Sequence, residues 1–221
     1  MNTLSLSLLT VSQQQLFQQQ LQRTNLNWLD GRLTAGEHAA AVKSNRQLDP
    51  SCDLAAQIST LVSNQLCSSP LVKSFSLVRK VHSLLISSCA DGEGYGWHVD
   101  NPFSKHGRRD LSFTLFLSDP SEYEGGGLEI QGVQESSTFR LPAGHALLYP
   151  SSSLHRVHPV SRGTRYACVG WIESYVQSDE DRSLLFNLDA GARGLLARHG
   201  RSQELDLVFQ AYANAVRRLS R

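Results

Sequence analysis

The stretch LSFTLFLSDPSEYEGGGLEI, residues 111–130, decides the fold class. SFTLFL and GLEI are short runs of apolar and strand-favouring residues, and the DPSEYEGGG between them is made of residues that break strands and form turns. The pattern continues on both sides. From about Leu71 the apolar period shortens, and the clusters DGEG (91–94) and LPAGH (141–145) separate further short segments. Strands of this length at this spacing predict an all-β core with flanking helices, in which an antiparallel double-stranded β-helix, or jelly roll, holds a small-molecule site at its open end.

The flanks read as helix. Leu4, Leu6 and Leu8 alternate as a strand does, and then Ser12 with Gln15 forms an S-x-x-Q capping box expected to start a helix running to about Arg23. Leu16, Phe17 and Leu21 give that glutamine-rich run a buried stripe, and a second helix is expected over Leu54 to Cys67. Beyond Val176, Leu184, Leu185 and Leu188, then Leu205, Val208, Phe209, Tyr212, Val216 and Leu219, recur at helical spacing. The expected organisation is a jelly-roll unit with N-terminal helices over 1–176 and a helical extension over 177–221. That extension packs on the roll or on a second copy in a homodimer.

The chemistry is concentrated in GYGWHVDNP (94–102) and LHRVHPVSRGTRY (154–166). Residues two apart on a strand project from one face, so His98 and Asp100 can reach a single metal ion together. With a second histidine they form the two-histidine, one-carboxylate set that leaves coordination positions open in non-haem Fe(II) oxygenases. His155 and His158 both offer themselves, and three apart on a strand they point to opposite faces. His155 is preferred, since it follows a turn at Pro142 and Gly144, a strand Ala146 to Tyr149 and a serine loop that place it near the mouth of a sheet. Ten residues later, past a turn expected at Ser161-Arg162-Gly163, Arg165 shares a strand face with Ala167, Val169 and Trp171. A buried guanidinium needs an anion, and its planar fork suits the distal carboxylate of a dicarboxylic co-substrate. Asp110 or Glu173 could instead pair with it structurally, and Arg162 competes as the anchor. Tyr95 and Trp97 flank the motif, as pocket walls or as plain core. His106, with Lys105, Arg108 and Arg109, reads as a surface cluster that would also suit an acidic substrate. His38, His82, His145 and His199 show no partner spacing.

WLDGRLTAG (28–36), AVKSNRQL (41–48), YGWHVD (95–100), residues 108–130, LPAGHALLYPSSSLHRVHPVSRGTR (141–165) and GWIESYV (170–176) together resemble the PKHD-type hydroxylases, a branch of the Fe(II)- and 2-oxoglutarate-dependent dioxygenases related to prolyl hydroxylases. The resemblance runs in order over nearly the whole chain. It implies that His98, Asp100 and His155 ligate Fe(2+), that Arg165 binds 2-oxoglutarate, and that O2 is consumed in hydroxylating a small-molecule or peptidyl substrate. It also brings L-ascorbate into consideration as a bound reductant. The chain departs from the family at Ser87, Ser88 and Cys89, where an asparagine-arginine-tyrosine run is usual, at His158, where a threonine is common, and at Gly127, where GGEL has become GGGL. The competing reading is a non-catalytic jelly-roll module holding a metal or a small ligand.

Composition excludes several alternatives. With 221 residues, 40% of them hydrophobic, the chain can bury one substantial core. A formal net charge of +1 gives no general drive toward nucleic acid or an anionic membrane. The four cysteines contain no CxxC pair, which suits free thiols in a reducing compartment, and no apolar stretch reads as a signal or a membrane span. A cytoplasmic enzyme is the expectation.

Overall fold

Residues 3–220 are described by the computed structural model, without the side chain of His38, so the reading of that histidine lies outside the described residues. In chain order the elements are β1 (Leu4–Ser7), α1 (Val11–Leu21), β2 (Trp28–Asp30), α2 (Glu37–Ala40), β3 (Lys43–Ser44), β4 (Arg46–Leu48), α3 (Asp53–Ser68) and α4 (Pro70–Ser76). There follow β5 (Val78–Ala90), β6 (Gly94–His98), β7 (Phe103–Ser104), β8 (Gly107–Arg108), β9 (Leu111–Phe116), β10 (Tyr123–Gly125), β11 (Leu128–Ile130) and β12 (Ser137–Phe139). The chain ends with β13 (His145–Pro150), β14 (His155–Val157), β15 (Val160–Ser174), α5 (Asp179–His199) and α6 (Gln203–Leu219). All strand pairings are antiparallel. One sheet runs β1-β13-β9-β15-β5-β4-β2 with β10 attached to β15, and a smaller one runs β12-β11-β14-β6-β3. This is the expected jelly-roll core.

Alternation along the strands of the large sheet sets its two faces. Leu111 and Leu115 of β9, Ala146 and Leu148 of β13, and Cys168 and Ile172 of β15 face the helices, where they meet Ile58, Val62 and Leu66 of α3, all fully buried. Each of those three α3 side chains contributes about 1.5–3 kcal/mol by leaving water. The intervening positions, Ser112, Thr114 and Phe116 of β9 and Leu147 and Tyr149 of β13, face the smaller sheet. Because both faces are covered, β9 is buried at every position, which accounts for its near-continuous apolar run.

The sequence reading misplaced four features, one of them Leu16, expected in the buried stripe of α1 but 49% exposed while Phe17 and Leu21 are buried. The capping box of α1 is Thr10 with Gln13, since the Thr10 hydroxyl accepts from the Gln13 amide at 3.3 Å and the Gln13 side chain accepts from the Thr10 amide at 3.0 Å; the expected Ser12 and Gln15 lie inside the helix. The segment after Leu71 begins as helix, because Ser69 caps the amide of Val72 and Pro70 sits at the first helical position, where its missing N–H costs nothing. Strand structure starts only at Val78. The turn expected at Ser161-Arg162-Gly163 does not exist either, since β15 runs unbroken from Val160 to Ser174 and absorbs Gly163 at φ +76° beside β10. The C-terminal helices fall where the leucine spacing put them. Leu185 is fully buried, Phe186 packs edge-on against Phe75 of α4 at 5.5 Å, and α6 lies along α5.

The glycine run closes the roll near β15. Gly125 and Gly126 both adopt left-handed backbone, φ +74° and +61°, and a Cβ on Gly125 would collide with the Pro159 carbonyl oxygen. Gly125→Ala is therefore expected to destabilise the fold by about 1–2 kcal/mol for the handedness alone, with the collision added. Chemical denaturation midpoints of the two proteins measure it.

Candidate active site

His98, Asp100 and His155 converge between the two sheets, each offering a ligand atom within 4.8 Å of the others. Cross-strand register makes the meeting: β14 pairs with β6 so that His155 lies opposite His98, and their rings sit 4.2 Å apart. A register shift in β6 opposes Tyr95 to Val157, three residues from His98 rather than two, so Tyr95 and His98 end on the same side with their rings stacked at 3.5 Å. Tyr95 thus lines the cavity, while Trp97 turns outward beneath the Arg156 guanidinium, 4.6 Å away.

Each histidine is held in one tautomer. The Nδ1–H of His98 donates to the Gly96 carbonyl at 2.8 Å, and that of His155 to the Ser153 carbonyl at 2.9 Å. Both bonds turn Nε2 into the free lone pair that a metal requires. Burial, with His155 beside it, pushes the His98 pKa down to about 4, so the imidazole is neutral at physiological pH. Asp100 is oriented through Oδ2, which accepts from Ser112 Oγ at 2.5 Å and Trp171 Nε1 at 2.9 Å and lies 4.0 Å from His155 Nε2. His158 faces the other way, as its spacing predicts, and its ring bonds Glu129 at 2.6 Å beside Arg156.

Arg165 stands in β15 at 2% exposure, over the Phe116 ring at 5.3 Å, and its Nε and Nη2 have no partner. The structural alternatives for it fail. Asp110 is taken by Arg108 and the Ser174 amide, and Glu173 by Arg79 and Arg108. Arg162 is exposed and paired with Glu124, so it does not enter the cavity. Orphaned guanidinium nitrogens in a buried position call for an oxyanion. The enclosing cavity has a volume of about 280 Å³ and also presents Thr114 and Tyr149. Burial raises the Tyr149 phenol far above its ordinary range, so it remains a protonated donor.

Residues 84–173 match the family model described as the 2OG-Fe(II) oxygenase superfamily. A PKHD-type hydroxylase of Synechococcus sp. (strain CC9902) is 74% identical over 193 residues, 87% of either chain, and one of Synechococcus sp. (strain CC9605) is 65% identical over the full length of both. The chain belongs to the PKHD-type hydroxylases. Among solved structures, a Pseudomonas putida prolyl-4-hydroxylase superposes with a TM-score of 0.56 at 16% identity, covering 78% of this chain and 92% of its own, a likeness of fold.

As a PKHD-type hydroxylase the protein is an oxidoreductase, a dioxygenase, and the non-catalytic binding-module reading falls away. The superfamily implies Fe(2+) and 2-oxoglutarate, and the residues present fit both: a two-histidine, one-carboxylate set for the metal and an unpartnered buried guanidinium for the acid. Among the described residues no helix is long and apolar enough to cross a membrane.

The sequence missed much of the hydroxylase cavity. Ser112 and Trp171, which hold Asp100, carry no signal of their own. Lys43, Asn45 and Gln47 line the same cavity, and their period-two spacing in a strand-like segment was the available clue. Arg109, read as part of a surface cluster, instead turns inward and stacks on Trp171 at 3.9 Å, while Arg108 is tied to Asp110 and Glu173 and only His106 and Lys105 stay outside. His82 is a core histidine bonded to the Arg108 carbonyl at 2.7 Å.

Proposed function

We propose that this PKHD-type hydroxylase inserts one oxygen atom of O2 into a C–H bond of a small-molecule or peptidyl substrate, while 2-oxoglutarate takes the other and becomes succinate and CO2. His98, Asp100 and His155 are the ligands of Fe(II) in this reading, and Arg165 pairs with the distal carboxylate of 2-oxoglutarate. The observation that carries it is the pairing, in one cavity, of three convergent ligands with a buried arginine whose nitrogens have no protein partner. Iron supplies the oxygen-activating chemistry when bound. The chain supplies the rest. Gly96 and Ser153 carbonyls fix the tautomers of the histidines, Ser112 and Trp171 aim Asp100, and the Tyr149 hydroxyl offers a neutral donor in the same cavity as Arg165. Phe116, Leu128 and Val157 keep that end of the cavity apolar and short of water.

Purified protein with Fe(II), 2-oxoglutarate and L-ascorbate, which in place of the primary substrate reduces the second oxygen atom to water, is expected to release succinate, with omission of Fe(II) and omission of protein as controls. No succinate above those controls would overturn the reading.

A further inference from the structure

The cavity that holds Arg165 presents two more cations that the reaction leaves unused. Lys43 is only 8% exposed, and its ammonium donates to Thr34 Oγ1 at 3.2 Å and lies 5.0 Å from the Tyr95 ring centre. Thr34 in turn bonds Gln47 at 2.8 Å, and Asn45 bonds Ser87 at 2.7 Å while its own Oδ1 stays buried and unpaired. Arg109 lies face-on to Trp171, with a buried Nε that has no partner. Among the described residues neither Lys43 nor Arg109 has a carboxylate within 4.0 Å. Both face the cavity around Asp100, which draws on each electrostatically.

The charge balance of the cavity is therefore uneven. Its lining carries three cations, Lys43, Arg109 and Arg165, against a single carboxylate, Asp100. On the proposed function, Fe(II) adds two positive charges and 2-oxoglutarate brings two negative ones, so an excess of two positive charges persists after both have bound. A buried cation without a counter-charge is costly, and Lys43 is buried while Arg109 is half-buried, with no further carboxylate in the lining to offset them. Desolvation pushes the Lys43 pKa down to about 8, with Asp100 opposing the fall, so the ammonium is largely charged at neutral pH. The cavity mouth is apolar: Leu33 and Val99 line it and are 77% and 47% exposed.

We propose that the primary substrate bears an oxyanion, a carboxylate or a phosphate, which Lys43 and Arg109 receive together while an apolar body rests against Leu33 and Val99. This rests on the proposed function, because 2-oxoglutarate must first occupy Arg165. The two cations select the substrate through charge.

The test is equilibrium binding by calorimetry to the full chain loaded with Zn(II), which does not react with O2, and saturating 2-oxoglutarate. The probes are octanoate, N-acetylleucine and phenyl phosphate, each set against its neutral counterpart octanamide, N-acetylleucinamide or phenol. At least one anion is expected to bind at least about tenfold more tightly than its neutral partner, as loss of a charge-assisted contact implies. It should do so without displacing 2-oxoglutarate, and the preference should vanish in Lys43→Met/Arg109→Met and survive in Lys43→Arg. No preference for any anion, displacement of 2-oxoglutarate by the anion, or a preference that persists in the double variant overturns the proposal. The comparison on the unaltered chain decides by itself if the double variant does not fold. Failure of 2-oxoglutarate to bind in the first step would instead count against the proposed function.

Discussion

His98→Ala, Asp100→Ala and His155→Ala are each expected to abolish Fe(II)-dependent turnover of 2-oxoglutarate, with a loss of at least about a hundredfold. That floor comes from ligand sets elsewhere, in which disturbing only the groups that orient a ligand costs 10- to 100-fold. Removing a ligand outright costs more, since two remaining donors cannot fix the geometry that keeps the open positions on one side. His158→Ala is the informative contrast. Its ring is bonded to Glu129 on the outer side of β14, half-exposed, so its loss changes stability by at most about 1 kcal/mol and leaves iron binding intact. Iron stoichiometry of the four purified variants, measured beside succinate release, checks both halves. Iron lost with His158 and kept without His155 would exchange their roles.

Arg165→Lys should raise the concentration of 2-oxoglutarate needed for half-maximal turnover about tenfold to a hundredfold while leaving iron stoichiometry unchanged. Lysine keeps the charge but loses the rigid fork, and one of two parallel bonds to the distal carboxylate disappears, a cost of about 1.5–3 kcal/mol. The position cannot recover the loss by drawing in water, because it is 2% exposed and walled by Phe116 and Tyr123. Arg162→Lys is expected to be silent, since that side chain is 71% exposed and its pair with Glu124 is a surface one. Initial rates over a 2-oxoglutarate titration for both variants separate the two arginines.

The site was legible in the sequence wherever local periodicity carried the information. His98 and Asp100, two apart, do meet, although β6 ends at His98 and Asp100 lies just beyond it, and His155 and His158, three apart, point to opposite sides. Arg165, Ala167, Val169 and Trp171 fell on one face of β15 for the same reason. What the sequence did not disclose depends on contacts between distant segments. That Trp171 and Ser112 grip Asp100 requires knowing that β15 lies beside β9, a pairing across more than fifty residues. The stacking of Tyr95 on His98 depends on a shift in register that no periodic pattern encodes. Gly163 looked like a turn because glycine in left-handed backbone is common there, yet the same conformation fits a strand bent by its neighbour β10. Pro70 was passed over because apolar Leu71 and Val72 after it suit either helix or strand, and only its place behind the Ser69 cap selects helix.

The most direct measurement is the visible absorption of the purified chain under strict exclusion of O2, with Fe(II) added first and 2-oxoglutarate second. Chelation of ferrous iron by a 2-oxo acid in a site with three protein ligands produces a weak metal-to-ligand charge-transfer band, and the proposed function predicts that it appears only after the second addition, saturates at one equivalent of iron, and is missing in His155→Ala. A chain that binds iron but shows no band on addition of 2-oxoglutarate, or shows the same band with His155 removed, would contradict the assignment of this cavity.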